Sequence, residues 1–418
     1  MPAIKKYFIF VLLFIAACEV NAQFNNFKKL AVKDGLPQSD IYAITQDSRD
    51  YLWFASGGGV AMFDGINFKN FTKRNGLAGN LVRSLFEDSR GNIWFGTNEG
   101  VCYYDGLKFH KLNNKNLKGT FALCFAEDRN HFLYIGTDDG GLNILKFTND
   151  SLEIFNLNED NGLSSNSIFD IAIDAEQRVW LATFGGGLDM VSFTNKKFKT
   201  IVFRGYSHLP SDVLLSVAIK GDDLWLGSQD AGAFKFSIRK LVSNNSTPPE
   251  IYNTQNSLNS NYIWDILPAK DGKVWLASME NGITRLENSG SKNKNTSFTK
   301  NNGLSDNQIF CLYEDKQQNV WIGTNGNGVN MLSGDHFSHY NTASGLLSDK
   351  IQSIAQDSTG TYWLASSGGG LSAITFTGNG PEIKNYIDEK GLTNFISSVS
   401  AGKANNKNIW FATDNNGI

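Results

Sequence analysis

Proline is scarce in this chain, 7 residues of 418, and cysteine scarcer, with 4. Charge is also thin. Lys+Arg number 38 and Asp+Glu 41, a net of −3, and charged residues make up 19%. With no polybasic run, an electrostatic binder of nucleic acid is excluded. No acidic tail is present either. No stretch repeats its apolar residues at the helical period, which argues against a helical bundle. Long apolar runs are absent after residue 18. The one run there is, Tyr7–Cys18, has 12 residues, short of the ~20 that span a bilayer. What the chain has in excess is glycine, 41 residues, and aromatics at 12%, including 30 Phe and 9 Trp. That combination argues against disorder and for an all-β chain with many tight turns.

The first 22 residues read as a signal peptide. Lys5 and Lys6 form a basic start, Tyr7–Cys18 the apolar stretch, and Val20-Asn21-Ala22 a small-residue cleavage site. Three alternatives stay open: a lipoprotein acylated at Cys18 after Ile15-Ala16-Ala17, a retained anchor, and a buried N-terminal strand. The first three readings all make the remainder exported. Cys102, Cys124 and Cys311 are then left, an odd number without metal-ligand spacing. Each sits in an apolar strand-like run and reads as a small buried hydrophobe.

Nine repeats fill the rest. A phrase of the form NIWFGTNEGV centres on an aromatic at Trp53, Trp94, Tyr134, Trp180, Trp225, Trp275, Trp321, Trp363 and Trp410. The mean spacing of about 45 residues suits a four-stranded propeller blade. Two residues after the aromatic comes Gly or Ala, then Ser or Thr. Asp stands six residues before it at Asp47, Asp88, Asp128, Asp174, Asp315 and Asp357. Most repeats open on Gly-Leu, as at Gly35-Leu36, Gly76-Leu77 and Gly303-Leu304. Each repeat reads as strands A to D, with the aromatic on B as a packing wedge between blades. Asp88–Gly91 is an A–B hairpin, and Asp105-Gly106 a C–D turn. β-Helix coils are usually shorter and lack four antiparallel strands.

Phe27–Leu30 aligns with the D strand Phe68–Phe71 and so precedes its own blade. It can close a ring by pairing with the C strand of the Trp321 repeat. The expected architecture is an all-β, seven-bladed β-propeller over 24–336, followed by the first blades of a second, truncated propeller over 337–418. The sequence stops at Ile418, one residue past the glycine of the ninth repeat. Since an unfinished blade leaves an open edge, the expectation is a fragment of a longer protein.

The phrase from Gly76-Leu77 to Gly100, repeated from Gly303-Leu304 to Gly328, resembles the two-component regulator propeller repeat. That resemblance covers about residues 24–418. It implies the periplasmic sensor half of Bacteroidetes-type sensor histidine kinases, hybrid two-component systems included. In that family two seven-bladed propellers and a small β-sandwich precede a transmembrane helix and a cytoplasmic kinase. It also implies oligosaccharide sensing, a dimeric full-length protein, and a place on the periplasmic face of the inner membrane. The alternative is a stand-alone secreted or lipid-anchored binding propeller.

Catalytic signals are few. None of His110, His131, His208, His336 and His339 lies in a phosphoacceptor motif. His336 and His339 would point to opposite sides of a strand. Gly57–Gly59, Gly185–Gly187 and Gly368–Gly370 recur as B–C turns, with no following helix to make a phosphate loop. A sialidase-type glycosidase would need an arginine cluster, and the nine arginines show no grouping in sequence. Quinone-cofactor dehydrogenases follow a different, eight-bladed pattern. No catalytic residue, metal site or cofactor is expected, and no nucleic-acid binding. Strand direction puts the B–C and D–A loops on one face. The variable B–C tips there are the candidate contacts for an oligosaccharide or other small polar ligand. They are Asn98, Glu99, Asp138, Asp139, Phe184, Gln229, Asp230, Met279, Glu280, Asn325 and Asn327. Long C–D insertions at 241–250 and 287–297 keep the opposite face in contention.

Overall fold

A computed structural model describes residues 27–413, apart from 113–114, 149–150, 204–208, 244–247, 288–294, 334–339, 378–379, 387–394 and 402–407. The signal-peptide reading, Cys18, His208, His336 and His339 fall outside the described residues. The chain divides into two compact units at Gly334/Asp335.

In the first unit, six sheets each take four successive strands in order A-B-C-D. Blade 1 is Ile41–Gln46, Leu52–Ser56, Gly59–Phe63 and Phe68–Phe71. Blades 2 to 6 begin at Val82, Ala122, Ile168, Leu214 and Ile263. Blade 7 has Ile309–Glu314, Val320–Thr324 and Val329–Leu332 as A to C, and takes its D strand from the start of the chain. Phe27–Leu30 pairs antiparallel with Val329–Leu332, Phe27 opposite Leu332. The A strands touch one another all the way round, that of blade 7 closing on that of blade 1. The all-β, seven-bladed reading of the sequence is what the structure shows.

The recurrent residues each have a physical task. The aromatics Trp53, Trp94, Tyr134 and Trp180 are wholly buried, and Trp225, Trp275 and Trp321 nearly so. Trp180 of blade 4 packs with Leu214 and Val217 of blade 5. The small residue two places on lets blades approach: a Cβ at Gly96 would fall 2.3 Å from Ala122 O of the next blade. The Asp does more than shape its turn. Asp88 Oδ1 accepts from Arg90 N and Asn92 N, while its Oδ2 accepts from Trp94 Nε1 at 2.9 Å. The same carboxylate–indole bond recurs at Trp53, Trp180 and Trp321, and as a phenol bond at Tyr134. The Gly of Gly-Leu ends a short 3-10 turn in the D–A loop. At Gly76 φ is +113°, a region that side chains disfavour, and Leu77 behind it is fully buried.

The second unit, described by itself, has a four-stranded sheet, Ile351–Gln356, Tyr362–Ser366, Gly370–Thr377 and Gly380–Tyr386, and a hairpin, Ile396–Ala401 with Ile409–Thr413. Trp363 is half-buried and donates to Asp357 at 2.8 Å. Trp410 departs from the wedge reading. It is 55% exposed, because no further blade stands against it among the described residues.

Candidate functional site

Every A strand of the ring breaks register at its second residue. Ile41 and Ala43 face consecutive partners on strand B, so Tyr42 is left over as a bulge. The same shift leaves out Arg83, Leu123, Phe169, Leu215, Trp264 and Phe310. A bulge re-aims its extra side chain, and here all seven turn into the central channel. Each A strand runs away from the D–A loop, so these residues form the channel's mouth on the D–A and B–C face. One residue deeper lie Ala43, Ser84, Cys124, Asp170, Asp265 and Cys311, then Ile44, Leu85, Phe125 and Leu312. Together they line a funnel of about 240 Å³.

The mouth carries a continuous arc of rings. Phe184 stacks on Phe169 at 5.4 Å between centroids, Phe169 meets Trp264 edge-on at 6.1 Å, and Trp264 meets Phe310 at 5.9 Å. Phe310 packs on Tyr42 at 5.0 Å, and the Arg83 guanidinium sits 4.7 Å over the Tyr42 ring. Rings and one guanidinium around a concave mouth can stack on flat apolar faces and bond polar groups.

Two carboxylates stand below. Burial, reinforced by the charge of Asp265, pushes Asp170 up to about 7 despite N–H bonds from Val217 and Ile171. Burial likewise raises Asp265 to about 6. The thiols of Cys124 and Cys311 are pushed well above their usual range by burial. Both stay reduced and buried, as does Cys102.

The B–C tips lie on the same face as the mouth, and most are tied to their own D–A loop. Asn98 N donates to Leu81 O, Asp138 N to Phe121 O and Gln229 N to Val213 O. Met279 N donates to Tyr262 O and Asn325 N to Gln308 O. The side chains add bonds of their own. Asp139 accepts from Thr120 N, Asp230 from Ser211 Oγ and Glu280 from Ser260 Oγ. Asn325 donates to Gln308, Asn327 to Asp306, and Glu99 pairs with Lys73 at 2.6 Å. Phe184, 44% exposed, is the tip that joins the aromatic arc. Sequence reading missed Tyr42, Arg83, Phe169, Trp264, Phe310, Asp170 and Asp265. The signal of the first five is a position that varies in type from blade to blade beside a constant apolar residue, Ile41, Val82, Ile168, Ile263 or Ile309, and the two acids stand one residue further on.

His110 contacts Asp105 at 2.6 Å and His131 contacts Ser89 at 2.9 Å, both near the surface. Among the described residues, no group of three or more His, Cys, Asp or Glu is placed to hold a metal ion.

The model of the two component regulator propeller matches residues 35–58, 76–99, 162–185, 257–280 and 303–326. No curated protein matches. Among solved structures, the extracellular domain of a putative hybrid two component system from B. thetaiotaomicron is 23% identical, with a TM-score of 0.60 over 93% of this chain and 52% of that one. A second such domain from the same organism is 19% identical, with a TM-score of 0.61 over 94% and 51%. PorZ, a surface component of the type-IX secretion system of Porphyromonas gingivalis, is 16% identical, with a TM-score of 0.58 over 84% and 60%. These likenesses are of fold. The chain spans about half the length of the two-component domains it matches.

Proposed function

We propose that the first propeller, in which five repeats match the two component regulator propeller, is the ligand-sensing, extracytoplasmic part of a two-component sensor. The sensor is a histidine kinase, hybrid or not, whose membrane and kinase parts are encoded beyond residue 418. It self-associates as a dimer and sits on the periplasmic face of the inner membrane. The observation that carries ligand sensing is the aromatic arc around the funnel, Phe184–Phe169–Trp264–Phe310–Tyr42, closed by Arg83. A fold needs no such arc to close its ring, and a small polar ligand such as an oligosaccharide can stack there. This part binds and does not catalyse. One feature favours a second reading: Ile15-Ala16-Ala17-Cys18 would make a lipid-anchored binding propeller with no kinase.

Reading the gene beyond codon 418 separates the two. The expected outcome is an open frame carrying further propeller, a transmembrane helix and a kinase. A stop codon there, confirmed by resequencing, overturns the sensor-kinase reading.

A further inference from the structure

The funnel holds two carboxylates, Asp170 and Asp265, with which no basic side chain pairs among the described residues. The position of Asp170 and Asp265 is the first ladder residue after the bulge, and in other blades it is Ala43, Ser84, Cys124, Ser216 or Cys311. A hydroxyl or thiol there can close the seam between blades, as three of them do, while Ser216 Oγ in blade 5 is buried without a partner. Ser84 Oγ donates to Ala122 O at 2.9 Å, and Cys124 Sγ to Ile168 O at 3.7 Å. The acids accept instead. Asp170 takes Ile171 N and Val217 N, both at 2.8 Å, and Asp265 takes Ile266 N at 2.8 Å and Leu312 N at 2.7 Å. Seam closure therefore explains a polar atom at this position but not two charges. Among the described residues neither carboxylate forms an ion pair. Arg83, on the same channel, lies two blades from Asp170 and three from Asp265 round the ring, and it is already seated on Tyr42.

Resting on the reading of the funnel as the ligand site, we infer that it takes an organic cation, an ammonium or guanidinium group carried by a small ligand. The ring faces of Phe169, Trp264 and Phe310 accept a cation as it enters. Asp170 and Asp265 supply its counter-charge where water is scarce. The floor of Ile44, Leu85, Phe125 and Leu312 offers no competing polar group. With Asp170 near 7 and Asp265 near 6, binding strengthens as pH rises through that range. The other titratable or charged groups facing the pair are Tyr42, Arg83, Cys124 and Cys311. Tyr42 and the two thiols are raised, so they stay neutral there, and the guanidinium stays charged.

The chemistry has two sources, an amino sugar and a basic peptide side chain, and calorimetry on the full chain tells them apart. The probes are a terminally blocked Gly-Arg-Gly peptide, a glucosamine disaccharide and its neutral N-acetylated counterpart. The expected result at pH 6.5 is that at least one cationic probe binds and the neutral one binds at least ~10-fold more weakly. For the blocked peptide, if it is the one that binds, affinity rises between pH 5 and 8. Asp265→Asn and Trp264→Ala each weaken the bound probe at least ~10-fold. Asp265→Ser, the residue type native to blades 2 and 5 here, does the same while keeping a polar atom at the seam. Near-UV circular dichroism confirms that each variant is folded. Equal binding of the neutral disaccharide, binding unchanged by folded Asp265 variants, or preference for calcium chloride over every organic probe would each overturn the cation assignment. So would no binding by any cationic probe. None of these outcomes touches the gene beyond codon 418, so the sensor reading fails or stands separately.

Discussion

Asp189 is a side chain whose charge works against the fold. It is wholly buried on strand C of blade 4, and its Oδ2 accepts from Ser164 N at 2.8 Å. Its Oδ1 has no partner. The same position in blade 7 is Asn330, whose Oδ1 accepts from Ser305 N while its Nδ2 donates to Ser305 Oγ at 2.7 Å. Burial lifts Asp189 from 3.8 to about 6. The folded state then keeps a proton that the unfolded chain gives up near 4. Stability is fully present below that, and is lost as pH rises through about 6. Asp189→Asn should therefore be more stable than the wild type at pH 7.5, by about 1–3 kcal/mol. The gap should shrink toward zero at pH 4, as read by urea unfolding at both values. A gap that does not change with pH would remove the titration argument. Trp180 is the opposite case, an asset with no charge. Trp180→Ala should cost about 3–5 kcal/mol, since the indole lies wholly between blades 4 and 5. A loss under about 1 kcal/mol would show that the aromatics are not wedges.

The A–B hairpin and the B strand work as one bracket, with the hairpin carboxylate gripping the indole of the strand that follows. Blade 6 lacks it. Ala269 holds the Asp position, its turn keeps the same backbone bonds, and Trp275 Nε1 is buried without a partner. Ala269→Asp should supply the missing acceptor and stabilise the chain by about 1 kcal/mol, seen as a rise in Tm. A fall would mean that the cost of burying the acid exceeds the bonds it gains. Much of this bracket was legible from residues alone: Asp88 and Trp94 stand out by recurrence, as do Gly76-Leu77 and the small Gly96. Their contacts were not. Asp88 reads as turn punctuation until the hairpin folds the indole back over it. The funnel was hidden for a different reason. Period-two alternation assigns faces only while the register holds, and the bulge at Tyr42, Phe169 and Trp264 breaks it one residue before the acids. Residues about 45 apart converge only once the ring is closed, so no local window contains the site.

Closure rests on a strand and a few ties. Phe27–Leu30 completes blade 7. On the hairpin face Lys316 of blade 7 reaches Asp47 O and Asp50 Oδ1 of blade 1. Removing residues 1–31 should bare the Val329–Leu332 edge, lower Tm, and drive self-association through that edge. Size-exclusion chromatography and a thermal melt would read it, and a monomer with an unchanged melt would show the strand to be dispensable. The same pairing also sets a clock. Phe27 and Leu332 lie about 300 residues apart in the chain, so the strand made first has no partner until the seventh repeat exists. At roughly 5–20 residues per second of synthesis, that is a wait of about 15–60 seconds. Until it ends the ring cannot close, and Phe27–Leu30 is a ribbon without its partner strand. Whatever keeps that ribbon from pairing with the first wrong edge to emerge acts in that interval, before there is any funnel to fill.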